Sequence, residues 1–291
     1  MIASIARNLL RGLGRIFPDC VTLCQAIAFN MFLAFFPMLL FALGLLSGTS
    51  FFHEAMREIP ERLSLILPPS STQVVFDYFL RRGHHPQRWT YLGLGGLLLA
   101  GSQVMIGFIE GFRMIEGDPI GLSYGRRHLR ALVILCLTIV PVLAVVACTV
   151  FGKAVRAWVI RRIGAPNLVH EFAFVLYVIA VFALAMTVLI VLYRLARPGH
   201  PGIARLIPGA IIATVLWWAA DVVFAYYVRR VPWDVVYGGL AAAIGLLLWM
   251  YLTATIILLG AAYNAEAQEA RQSEKAVLAH QVVIHRESRI S

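Results

Sequence analysis

Six long apolar runs dominate this chain, and they constrain its fold more than any other feature. They extend over about Ala26–Ser47, Tyr91–Phe112, Ala131–Phe151, Phe172–Tyr193, Ile207–Val228 and Gly238–Ala262. A helix of about 20 apolar residues crosses the ~30 Å hydrocarbon core of a bilayer. Inside lipid every backbone N–H and C=O needs an internal partner, which leaves helices and closed barrels as the spanning structures. A barrel strand needs only about 10 residues of alternating pattern, whereas these runs are continuous and about twice as long. The expected fold is therefore all-α: a polytopic membrane protein with six transmembrane helices plus short amphipathic interfacial helices. Of the 291 residues, 60% are hydrophobic and 14% charged, against about 45–50% and about 25% in soluble domains. This balance excludes an ordinary soluble enzyme, a disordered chain and a secreted disulfide scaffold.

The formal charge of +10 would suggest nucleic acid in a soluble protein. Here the arginines crowd the ends of the apolar runs, as in Arg194-Leu-Ala-Arg197-Pro198-Gly199 and Arg229-Arg230-Val-Pro232. At such positions they anchor helices among lipid phosphates, so membrane lipids are the expected partners and nucleic acid is not. Residues 1–25 form an amphipathic N-terminal segment, with Arg7, Arg11 and Arg15 on one face and Ile2, Ile5, Leu9, Leu13 and Ile16 on another. Arg7, Arg11 and Arg15 precede the first span with no acid before Asp19, which favours both termini in the cytoplasm. Residues 26–262 make the six-helix domain, including an outer loop at 48–90, and residues 263–291 a cytoplasmic tail. Pro68-Pro69 divides the outer loop into two amphipathic segments, the second capped by Ser70 or Ser71. The expected location is the bacterial inner membrane.

Ionisable groups inside spans are the best functional pointers, because each costs about 2.5–3.5 kcal/mol at a helix centre. Asp221 stands within the fifth span, seven residues before Val228 and so ~10 Å from its end. It reads either as a proton, cation or headgroup site facing a polar cavity, or as a buried structural partner of an Arg or Tyr. Glu110 lies near the end of the second span with Arg113 three residues on, the spacing of an intrahelical ion pair. Asn30, Gln103 and Asn264 add polar groups that either line a cavity with these residues or form interhelical hydrogen bonds. Gly107 and Gly111 make a small-residue packing surface. Pro37, Pro208 and Gly209 are candidate helix bends.

No catalytic, cofactor-binding or metal-binding constellation emerges. Cys20 and Cys24 lack neighbouring His or Cys, His84-His85 is an isolated pair, and no P-loop, G-x-S-x-G or H-E-x-x-H motif is present.

The stretch Ala26-Ile-Ala-Phe-Asn-Met-Phe-Leu-Ala-Phe-Phe-Pro37 resembles the first span of the BrkB/YihY family of bacterial inner-membrane proteins. So do Trp217 through Tyr227, the block Tyr237-Gly238 to Tyr251, the ending Leu259-Gly260 to Glu266, and Tyr193-Arg194 followed by Ile207-Pro208-Gly209. Asn30 stands where that family often has an aromatic, Ala34 where it has Ser, and Glu110-Gly-Phe-Arg113 where an Asn is usual. The resemblance implies six helices, cytoplasmic termini, and a link to the cell envelope and to movement of lipids or lipid-like amphiphiles. A historical family label, ribonuclease BN, finds no metal-binding carboxylate or histidine cluster here. The expected function is translocation of a lipid or other anionic amphiphile, without enzymatic activity. The alternative is a non-catalytic envelope scaffold that holds protein partners or forms a homo-oligomer.

Overall fold

The computed structural model describes residues 10–12, 14, 19–46, 86–117, 123–163, 167–197, 199, 202–230 and 240–287. Six long helices account for almost all of them: α1 (Asp19–Leu46), α2 (Pro86–Glu116), α3 (Tyr124–Ile163), α4 (Asn167–Ala196), α5 (Ile203–Arg230) and α6 (Ala241–Glu287). Each contains a stretch long and apolar enough to cross a membrane. No strand occurs among the described residues. The side chains that would be a liability in water are outermost: Leu99 is 75% exposed, Val140 69% and Val222 68%. Lipid accepts such a surface, so the chain is an integral membrane protein.

Several helices outrun their apolar cores. α3 covers 40 residues and α6 covers 47, so α6 is ~70 Å long at 1.5 Å per residue. The expected tail is therefore a continuation of the sixth helix as far as Glu287. α1, α3 and α5 continue through Pro37, Pro141 and Pro208 as helix. α2 ends where Gly117 takes φ 65° and its N–H reaches the Met114 carbonyl at 3.2 Å, a left-handed cap that suits glycine. Most of the expected N-terminal amphipathic segment, and all of the expected outer loop except residues 86–90, lie outside the described residues.

The chain divides into two compact units. One comprises residues 30–103 and 135–185. There α1 and α2 run antiparallel at glycine contacts: Gly93 lies against the backbone of Leu40 and Phe41, Gly96 against the Pro37 ring, and Gly44 against Thr90. A Cβ at Gly93 would come within 2.9 Å of the Phe41 Cα, so only a missing side chain allows this approach.

The other unit comprises residues 1–29, 104–134 and 186–291. It contains α5 and α6 whole, packed as an antiparallel pair. Leu206 meets Asn264, Gly209 meets Gly260, and Trp217 meets Thr253 and Trp249. Gly107 sits on Ile27, and Gly111 on Leu23 and Leu258, which makes the expected small-residue surface a helix-packing surface. Phe112, Ile27, Ile109, Leu206, Leu258 and Tyr193 fill the interior of this unit.

Candidate functional site

Within this second unit, three helix ends meet and are tied pairwise by arginines. Glu110 of α2 forms an ion pair with Arg127 of α3. Glu116 of α2 pairs with Arg197, which follows the last turn of α4. Arg130 of α3 completes the triangle: its Nε donates to the Leu195 carbonyl at 2.6 Å and its Nη2 to the Arg197 carbonyl at 2.8 Å. Those carbonyls belong to the α4 C-terminus, which lacks intrahelical donors and carries the negative end of the helix dipole. A guanidinium with several fixed donors satisfies both needs together.

The two ion pairs differ in setting. The Glu116–Arg197 side chains are 17% and 3% exposed, those of Glu110 and Arg127 40% and 29%. Arg197 Nη1 and Arg127 Nε are buried donors without a hydrogen-bond partner among the described residues. These three helix ends carry Arg113, Arg126, Arg127, Arg130, Arg194 and Arg197 against Glu110 and Glu116. Arginines thus outnumber carboxylates on these three helix ends.

Beside this triangle lies an open groove of about 380 Å³, lined by Arg126, Leu129, Arg130, Val133, Ile134 and Leu195. Small-molecule sites occupy about 300–1,000 Å³. Arg126 and Arg130 are one turn apart on the same face of α3, with Leu129, Val133 and Ile134 continuing the groove into the span. From Arg126 to Ile134 the helix rises ~12 Å. Among the described residues no carboxylate pairs with Arg126 or Arg130. The groove wall is almost wholly apolar, and two arginines stand at one end of it.

Asn264 is fully buried between α5 and α6, at 0% exposure, and both ends of its amide engage α5 backbone. Asp221 is exposed on α5 rather than buried, and lies twelve residues, ~18 Å, along that helix from Gly209. Its expected burial is corrected: the turn of α5 that carries it presents Asp221, Val222 and Val223 outward together. Glu110 has an interhelical ion-pair partner in Arg127 where an intrahelical one, Arg113, was expected. Asn30 is half-buried and Gln103 exposed, both within the other unit. Among the described residues no group of three or more His, Cys, Asp or Glu side chains gathers as for a metal ion. The groove residues Arg126 and Arg130 were missed by sequence reasoning. Their i, i+4 spacing at the start of the third run was the available signal.

Comparison with known proteins agrees with this architecture. The virulence factor BrkB family matches residues 17–284. The chain belongs to that family. A UPF0761 membrane protein of Aggregatibacter aphrophilus is 24% identical over 88% of this chain and 89% of its own length. A UPF0761 membrane protein of Pseudoalteromonas translucida is 23% identical over 82% and 78%. A putative ribonuclease-like protein of Bacillus subtilis is 27% identical over 43% of this chain and 46% of its own. The Aggregatibacter and Pseudoalteromonas relatives, each matched over most of its length, are named as membrane proteins. No solved structure matches the chain.

Proposed function

We propose that this BrkB family member moves an anionic lipid or similar amphiphile across the bacterial cytoplasmic membrane, as a transporter rather than an enzyme. The observation that carries this reading is the groove at Arg126 and Arg130. It joins two arginines, neither paired with a carboxylate among the described residues, to an apolar track that enters a membrane span. A headgroup crossing hydrocarbon needs charge compensation at each stage, and an arginine pair at the span end offers the first. The positive-inside preference puts this arginine-rich end, together with Arg7, Arg11 and Arg15, on the cytoplasmic side. Both termini are then cytoplasmic, and membrane lipids are the partners.

The test is a proteoliposome assay with fluorescently tailed phospholipid and a membrane-impermeant quencher. Protein-free vesicles lose about half of the signal, because only the outer leaflet is accessible. Quenching well beyond half in vesicles holding the purified chain, and its return to half with Val133→Trp in the groove, is the expected result. A plateau at half with the wild-type chain, both without a gradient and with an imposed proton or sodium gradient, overturns it.

A further inference from the structure

We propose that the α3 groove is a binding site for one phosphate-bearing anionic phospholipid. The phosphate lies between Arg126 and Arg130, and an acyl chain lies along Leu129, Val133, Ile134 and Leu195. This deepens the reading of the groove given above, and concerns what occupies it rather than whether the occupant moves.

Three observations choose this occupant. The first is polarity in the right order. Arg126 and Arg130 stand at the span end, and the apolar lining follows toward the bilayer centre, which matches a lipid lying parallel to its neighbours. The second is that one of the two cations is already oriented. Arg130 is held by bonds from Nε and Nη2 to the α4 C-terminus, which fix the plane of its guanidinium. Arginine presents donors in a planar fork that matches phosphate oxygens, and a fork fixed on one side loses little freedom on taking a ligand. The third is charge. Glu110 and Glu116 are committed to Arg127 and Arg197, so no described carboxylate neutralises Arg126 or Arg130. Basic pockets between membrane helices on the cytoplasmic side are known to take anionic lipid headgroups.

A free phosphate would use only the arginine end of this groove. A neutral lipid would use only its walls. The groove offers both, and an anionic phospholipid uses both.

The experiment uses the full chain in detergent micelles. Native mass spectrometry and thermal unfolding are followed during titration with phosphatidylglycerol, phosphatidylcholine or inorganic phosphate. Phosphatidylglycerol should be retained as a single adduct and raise the melting temperature, with phosphatidylcholine weaker and inorganic phosphate without effect. Arg126→Gln removes a cation that makes no ion pair among the described residues, and should weaken phosphatidylglycerol about fivefold, the equivalent of ~1 kcal/mol per basic residue near a lipid surface. Val133→Trp fills the groove at a position already exposed, and should abolish the retained adduct while leaving the lipid-free melting temperature unchanged. Arg130 is left alone, because its loss would unfasten α4.

Equal retention of phosphatidylglycerol by the wild type, Arg126→Gln and Val133→Trp would overturn the site, as would equal retention of phosphatidylcholine. The two readings fail separately. Binding as expected with quenching stopped at half keeps the site and removes translocation. Quenching beyond half without a groove-dependent adduct removes the site and keeps translocation.

Discussion

The side-chain amide of Asn264 spans one turn of α5, accepting the Gly209 N–H on Oδ1 at 2.8 Å and donating from Nδ2 to the Leu206 carbonyl at 3.1 Å. Between those two residues stands Pro208, which has no N–H and leaves the helix short of a backbone hydrogen bond. α6 therefore supplies, through one side chain, polar partners at the place where the α5 ladder is weakest. Asn264→Leu keeps the size and removes both bonds, leaving a buried donor and acceptor. We expect it to destabilise the chain by about 1–3 kcal/mol, measured as a lower midpoint in detergent unfolding. An unchanged midpoint would mean that the two backbone groups find other partners.

Close approach of α5 and α6 depends on Gly209 and Gly260. A Cβ on Gly209 would collide with the Gly260 carbonyl and with Asn264, and one on Gly260 would come within 2.8 Å of Ala213 Cβ. Gly209→Ala and Gly260→Ala should each lower the midpoint by more than Asn264→Leu, because backbone as well as side chain must shift. Gly245→Ala in α6 is the control. Nothing lies within 4 Å of its Cβ position, so Ala there should be neutral or stabilise by up to about 1 kcal/mol through helix propensity.

The two ion pairs of the arginine triangle should respond differently to removal of one partner. Arg197 is 2% exposed, so Arg197→Met removes a buried partner of Glu116 and should cost up to about 3–5 kcal/mol. Glu110 and Arg127 are partly exposed, and a double-mutant cycle between them should give a coupling of about 0.2–1 kcal/mol. Equal values for the two pairs would show that burial does not separate them.

Tyr193 is buried, with its hydroxyl donating to the Ile257 carbonyl at 2.8 Å and its ring edge-on to Phe112 at 5.5 Å. Tyr193→Phe removes only the first contact and should cost about 0.6 kcal/mol, the mean for interhelical side-chain hydrogen bonds in membranes. Tyr193→Ala removes ring packing too and should cost several times more. Unfolding midpoints of the two variants measure the ratio.

Asp221 is exposed on α5, so Asp221→Asn removes a charge without breaking an ion pair among the described residues. Because a charge facing lipid inside a span is costly, the unfolding midpoint should stay unchanged or rise. A drop would reveal that the carboxylate holds a partner.

Fold class was legible in the sequence because spanning a bilayer is a one-dimensional requirement. Length and apolarity of a run are set by consecutive residues, and the six runs reappear as α1 to α6. Roles were less legible. Glu110 and Arg113 have the spacing of an ion pair on one helix, yet the pair found for Glu110 reaches α3, because partner choice depends on which faces meet. Asn264 is a polar residue in an apolar run whether it lines a cavity or bridges two helices. Only the register of α6 against Pro208 and Gly209 decides for the bridge. Asp221 shows the same limit from the other side, since its depth can be counted along the chain but its direction cannot. By itself the sequence determined that this protein spans a membrane six times and where its basic ends lie. The tertiary structure alone decided which arginines are tied to carboxylates and which border an apolar groove, because pairing and burial arise from contacts between helices far apart in the chain.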